Sequence, residues 1–167
     1  MARPQRIEPG PDQESVWDYP RPPRLERTDA LVQVVHAGHV VAETTRAWRI
    51  LETSQPPGYY LPPSDVDHAV LVPAAGAQTF CEWKGLASYW DLAVTGAPVV
   101  REAAWAYPAP TDAYAAIADH LAFYPQRVDR CSVDGEVVEP NEGSFYGGWI
   151  TSKVVGPFKG GAGSTWW

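Results

Sequence analysis

Proline or glycine interrupts this chain every few residues, with seventeen prolines and fourteen glycines in 167 positions. Proline removes a backbone donor, clashes with the helical turn before it, and pushes its preceding residue to extended geometry. Long helices therefore have little room. The segments between the breaks are enriched in β-branched and aromatic residues, which favour strands.

Residues 31–36 and 39–43 read as a hairpin about the Ala37-Gly38 turn, and 128–133 and 136–139 as a second about Asp134-Gly135. Further short strands are expected at 58–61, 69–73, 78–83, 88–94 and 98–107, with one helical turn near 62–66, while 44–53 fits a strand or a short helix carrying Ala47, Trp48, Ile50 and Leu51, with the strand preferred. One helix is expected near 111–123, with Thr111 as its cap and Tyr114, Ile117 and Leu121 on one face. About nine strands and one helix, not alternating, make a mainly β (α+β) domain rather than a doubly wound sheet. The domain is expected over 16–159, after a disordered lead at 1–15 and before a flexible Gly-rich tail at 160–167.

Charge and composition exclude several functions. The formal net charge is −7 and the isoelectric point about 5.0, the reverse of the basic patch that phosphate backbones require. No apolar run approaches the roughly 20 residues of a membrane span. The N-terminal residues lack the apolar stretch of a signal peptide, so a cytoplasmic location is expected. Cys81 and Cys131 are too few for a disulfide framework or a four-cysteine zinc site. His36, His39, His68 and His120 are scattered, although His36 and His39 flank a hairpin turn. No metal and no cofactor is expected. Walker, G-x-S-x-G and G-x-G-x-x-G motifs are absent.

Aromatic residues carry the remaining signal, with eight Trp and eight Tyr. They cluster in Trp17-Asp18-Tyr19-Pro20-Arg21, in Cys81-Glu82-Trp83-Lys84-Gly85 with Tyr89-Trp90, in Trp105-Ala106-Tyr107-Pro108, and in Phe145-Tyr146-Gly147-Gly148-Trp149. Trp17/Tyr19 and Trp105/Tyr107 sit two apart, so on extended strands each pair faces one side. Rings of this kind also fill cores, but rings with polar tips around few charges are the usual make-up of ligand pockets. The candidate ligand-binding set is Trp17, Tyr19, Arg21, Trp83, Lys84, Tyr89, Trp105, Tyr107, Tyr146 and Trp149. Lys84, at a turn among rings, suits an anion, or a nucleophile if desolvated. Its ordinary alternative is a solvated turn lysine whose stem covers Trp83. Glu82 shares strand parity with Lys84 and is free to pair with it. Lys84, Tyr89, Tyr107 and Glu82 are the catalytic candidates should the pocket be an enzyme's.

Several motifs resemble a bacterial domain-of-unknown-function family, number 427, filed in places as nucleotidyltransferase-like. They are Pro56-Pro57-Gly58-Tyr59-Tyr60-Leu61-Pro62, Thr79-Phe80-Cys81-Glu82-Trp83-Lys84-Gly85, Ala87-Ser88-Tyr89-Trp90, Ala103-Ala104-Trp105-Ala106-Tyr107-Pro108 and Phe123-Tyr124-Pro125. The resemblance covers about 30–130, with flanking arms at 16–29 and 131–159. Glu82 stands where the family has proline, and Gln55 where it often has histidine. The resemblance implies a β-tent-like fold, two antiparallel sheets leaning over a pocket. The zinc cysteines of relatives with that architecture are absent here, as is the Gly-Ser plus paired-Asp constellation of nucleotidyl transfer. The expected partner is a small molecule rather than nucleic acid or membrane. Binding domain, enzyme and interaction scaffold stay open in that order, with a dimer one option for assembly.

Overall fold

The computed structural model describes residues 3–167. Strands and five 3-10 turns account for the regular structure, with no α-helix among the described residues. A four-stranded antiparallel sheet runs Glu136–Val137, Arg130–Val133, Val32–His36, His39–Thr44. A three-stranded sheet runs Arg24–Arg27, Trp48–Leu51, Gly58–Tyr60. The five-stranded sheet runs Ala122–Phe123, Val100–Ala106, Gly85–Leu92, Leu71–Pro73, with Thr79–Cys81 also paired to Gly85–Leu92. The mainly β class is as expected, although the strands divide among more than two sheets.

Both hairpins turn where the sequence places them. Ala37 and Gly38 have φ of 49° and 74°, and Asp134 and Gly135 have 48° and 81°. Two successive positive φ values are the mirror-image turn that matches strand twist.

The helix expected near 111–123 does not form. Asp112–Ile117 is a kinked 3-10 segment, and Ala122–Phe123 is a strand. The Thr111 hydroxyl donates to the Trp83 carbonyl instead of capping a helix. The Asp119 N–H donates to the Tyr107 carbonyl, and Leu121 exchanges both backbone bonds with Leu61. Partners distant in the sequence have taken the Asp119 and Leu121 donors that a helix would use. The apolar spacing reported burial all the same, since Tyr114, Ile117 and Leu121 are all buried.

The lead, expected to be disordered, is docked over much of its length. The Ile7 N–H donates to Gly156, and Glu14–Ser15 pairs in parallel with Val154–Val155. Met1 and Ala2 lie outside the described residues. Arg49, buried on the strand Trp48–Leu51, holds this arm through Glu14 at 3.0 Å and also pairs with Glu26 on the neighbouring strand at 2.6 Å. Burial opposes the Arg49 charge, but these two carboxylates more than offset it and keep the guanidinium protonated. In the tail, the Gly160 N–H donates to Ser164 Oγ, and the Trp167 ring lies 5.8 Å from Trp17.

Val34, Val41, Leu61, Leu92, Leu121, Phe123 and Trp149 fill the main core, where they meet across sheets. Each such side chain contributes about 1.5–3 kcal/mol by burial. No helix among the described residues is long and apolar enough to cross a membrane.

One buried charge pins the largest sheet. Asp91, 4% exposed, accepts the Glu102 N–H at 2.8 Å and Arg101 Nη1 at 2.9 Å. Glu102 has φ +48°, within a register shift between Val100 and Ala104. The Glu102 N–H and then the Arg101 guanidinium hold the Asp91 carboxyl below the usual carboxylate range. A lowered folded-state value means that stability is fully present above that range and is lost as pH falls through it. Asp91→Ala, which leaves the Glu102 N–H without its acceptor, is expected to cost about 1–3 kcal/mol in urea unfolding at neutral pH. Asp91→Asn should flatten the acid limb of the stability profile. Wild-type acid sensitivity in Asp91→Asn would show that this carboxylate does not carry it.

Candidate functional site

The strands Gly85–Leu92 and Val100–Ala106 present Tyr89 and Trp105 as direct cross-strand partners. Tyr107 follows Trp105 by two residues and joins the same aromatic cluster. Tyr60 comes from the three-stranded sheet, with its ring edge-on to Trp105 at 6.1 Å and its hydroxyl accepting from Trp105 Nε1 at 3.2 Å. Tyr124 packs on the other side of Trp105 at 4.5 Å. These rings form the floor of a cleft of about 480 Å³, rimmed by Phe80, Trp83, Phe145 and Tyr146.

Lys84 enters the cleft from a three-residue turn. Cys81 pairs with Gly85, and Gly85 has φ +103°, a value that favours glycine. The turn is clamped from outside, because the Thr111 N–H donates to the Lys84 carbonyl and the Thr111 hydroxyl to the Trp83 carbonyl. Lys84 is half-buried, and its Nζ stands 5.5 Å from the centre of the Tyr107 ring. Among the described residues no carboxylate lies within ion-pair distance of Nζ. Glu82, expected to share its strand face, is exposed and unpaired with it, because residues 82–84 form the turn and strand parity does not apply.

Electrostatics favour a charged ammonium and neutral phenols. Burial opposes the Lys84 charge, but Tyr60, Cys81 and Glu52 outweigh it, and the lysine holds its proton more tightly than usual. Burial, then the neighbouring Tyr60 and Cys81, pushes the Tyr107 phenol far above its ordinary value. Burial does the same at Tyr124. The cleft therefore offers hydroxyl donors and a fixed positive charge, whereas a nucleophilic amine would need Lys84 shifted the other way.

The other sequence-derived candidates lie elsewhere. Trp149 is 1% exposed, stacks on Tyr59 at 4.8 Å and donates to the Phe123 carbonyl, so it is core. Trp17 donates to the Pro157 carbonyl, and Tyr19 to Glu14. Val16–Asp18 is a 3-10 turn, so the two-residue spacing of Trp17 and Tyr19 does not put them on one strand face. Arg21 reaches the site indirectly, 3.5 Å from Glu52, a residue that lines the cleft. His36 and His39 do pair across their turn, but each ring faces its own carboxylate, Asp129 and Asp67. Among the described residues no group of three or more His, Cys, Asp or Glu is placed to hold a metal ion.

Sequence reasoning missed Tyr60, Tyr124, Glu52 and Lys159 as lining residues. The adjacent glycines in Tyr146-Gly147-Gly148 were the available signal, since paired glycines mark close backbone approach. A Cβ on Gly147 would lie 2.7 Å from Trp105 Cζ3 and 3.1 Å from Tyr124 Cδ1, and one on Gly148 2.9 Å from Pro56 Cβ. The strap is tied down by Gln126, which donates to the Tyr146 carbonyl, and by Arg127, which donates to the Ser144 carbonyl. A second cavity of about 620 Å³, on the Trp90 and His68 side of the same sheet, has no lysine or arginine in its lining.

The protein family described as "Domain of unknown function (DUF427)" matches residues 24–134. The chain belongs to this family. No curated protein matches it. The DUF427 span supplies Lys84, Tyr89, Trp105 and Tyr107, whereas Phe145, Tyr146, Gly147, Gly148 and Lys159 close the cleft from outside it.

Gly147→Ala is expected to force the Trp105 ring aside and destabilise the fold by about 1–3 kcal/mol, the usual cost of overpacking. Urea unfolding followed by Trp fluorescence would measure it. An unchanged midpoint and emission maximum would show that the strap does not press on Trp105.

Proposed function

We propose that this DUF427 member binds a small organic molecule in the aromatic cleft. The observation that carries the reading is the convergence of Tyr60, Trp83, Tyr89, Trp105 and Tyr107 around the ammonium of Lys84 in one cavity of about 480 Å³. A concave, mainly aromatic surface with few polar groups is the common form of small-molecule sites. The reading takes the five-stranded and three-stranded sheets as walls leaning over the ligand, the tent-like arrangement that the resemblance implies. Binding is preferred to catalysis because the directions of the Lys84 and Tyr107 proton affinities favour fixed donors over a proton-transfer pair.

A metabolite library screened by thermal shift and Trp fluorescence tests this. A true ligand at about a hundred times its Kd adds roughly 2.7 kcal/mol to stability. Trp83→Ala removes a half-buried rim ring and should weaken the hits while leaving the fold intact. A library in which no compound moves either signal, or hits indifferent to both Trp83→Ala and Tyr89→Ala, would remove the cleft as the binding site.

A further inference from the structure

We propose that the ligand is a planar organic monocarboxylate, with Lys84 as its counter-ion and the half-buried ring surface of Trp83, Tyr89 and Trp105 covering its ring. This rests on the cleft being a binding site and specifies what it selects.

The argument begins with charge. Four ionisable residues with formal charge line the cleft, Glu52, Glu82, Lys84 and Lys159. Glu52 is already engaged, accepting from Gln55 Nε2 at 2.8 Å and lying 3.5 Å from Arg21. Glu82 is exposed to water. Lys159 donates to the Trp167 carbonyl at 3.3 Å and lies 5.7 Å from the Tyr146 ring centre. Lys84 alone combines partial burial, a ring beneath it and no hydrogen-bond or ion-pair partner among the described residues. A half-buried ammonium over a ring, with no hydrogen-bond or ion-pair partner among the described residues, has its donors free for an entering anion.

The kind of anion follows from what surrounds it. Phosphate recognition uses arginine forks, backbone N–H nests or several converging cations. No arginine lines this cleft, and two carboxylates do. A dianion would meet repulsion from Glu52 and Glu82. A monocarboxylate needs one point charge, which a lysine supplies.

The body of the ligand follows from the rings. Tyr60 and Tyr107 lie 6.3 Å apart at 34°, and Trp105 stands edge-on to Tyr60 at 88°. The indole N–H of Trp105 donates to the Tyr60 hydroxyl, and Tyr89 Oη is 2.7 Å from Thr79 Oγ1. The Trp105 N–H and the Tyr89 hydroxyl are engaged, while the Tyr60 hydroxyl keeps a proton to donate, and the half-buried Trp83, Tyr89 and Trp105 offer a ligand ring surface. Planar apolar bodies pack on such surface in offset or edge-to-face geometry.

A matched trio of probes tests the proposal: 2-naphthoate, 2-naphthamide and 2-naphthylmethylamine, titrated by ligand-observed NMR against the full chain. The acid is expected to bind at least about tenfold tighter than the amide, and the amine weakest. Lys84→Met keeps the stem and should bring the acid to the amide's level, leaving the amide within about twofold. Lys84→Arg should keep the preference for the acid. Should Lys84→Met not fold, acylation footprinting of the wild type replaces it, with the acid protecting Lys84 and the amide not. Equal affinity for acid and amide, a preference that survives Lys84→Met, or no protection of Lys84 would overturn the carboxylate assignment. The cleft would still stand as a binding site if neutral ligands remained sensitive to Trp83→Ala. If none of the three probes binds and the metabolite library is also silent, both readings fall.

Discussion

A buried carboxylate decides which side chains face one another behind the cleft. With the ladder continued in the Val100–Leu92 register, Ala103 would oppose Tyr89. The register shift before Ala104 brings Trp105 opposite Tyr89 instead. That shift requires Glu102 in a left-handed conformation, which costs about 1–2 kcal/mol outside glycine. The Asp91 carboxylate, bonded to the Glu102 N–H, stabilises it. Trp105 then reaches Tyr60, Tyr124 and Gly147 at once. The cleft floor, the three-stranded sheet and the C-terminal strap thus all meet at a ring whose place Asp91 sets.

The way each ring satisfies its polar tip separates core from cleft. Trp149 gives its N–H to the Phe123 carbonyl, and Tyr114 gives its hydroxyl to the Pro23 carbonyl. Bonds to the backbone lock those rings into the interior, with no face left open. Trp105 and Tyr60 bond to each other, and Tyr89 pairs with Thr79. Side-chain partners hold these tips within the cleft lining, where Trp105 and Tyr89 stay half-buried. A buried polar tip needs a partner in either place, so the partner's identity separates the two classes where burial alone does not.

Much of the fold was legible because its signals are local. Ala37-Gly38 and Asp134-Gly135 turn where they do because successive positive φ values suit those residues. Trp105 and Tyr107 share the cleft because the first sits on an extended strand and the second follows at a period of two. Legibility failed where the deciding partner was distant in sequence. Ala118 and His120 keep turn bonds to Ala115 and Ile117, but the backbones of Asp119 and Leu121 are claimed by Tyr107 and Leu61, and no local pattern reports that. Trp17 and Tyr19 carry the same spacing as Trp105 and Tyr107, but a 3-10 turn capped by Ser15 changes its meaning. Trp149 sits beside two glycines that line the cleft, yet its own ring points into the core. Tyr60 and Tyr124 were hidden because nothing local says that strands from two sheets converge on Trp105.

The family boundary divides the site by physical role. Within 24–134 lie the turn that holds Lys84 and the strands that carry Tyr89, Trp105 and Tyr107. These elements set the charge and the ring surface. Beyond 134, Tyr146, Gly147 and Gly148 lie across Trp105, Tyr124 and Pro56, so closely that neither glycine has room for a side chain. The strap contributes bulk and closure, and with Lys159 one further cation that the Trp167 carbonyl already engages. A DUF427 chain with only the matched span would keep the ammonium and the rings but leave Trp105 open to water on the strap side. In a wetter cleft the attraction of Lys84 for an anion weakens, since ion pairing falls with rising dielectric and with salt screening. The flank therefore bears on the cleft through Trp105, whose strap side Gly147 covers.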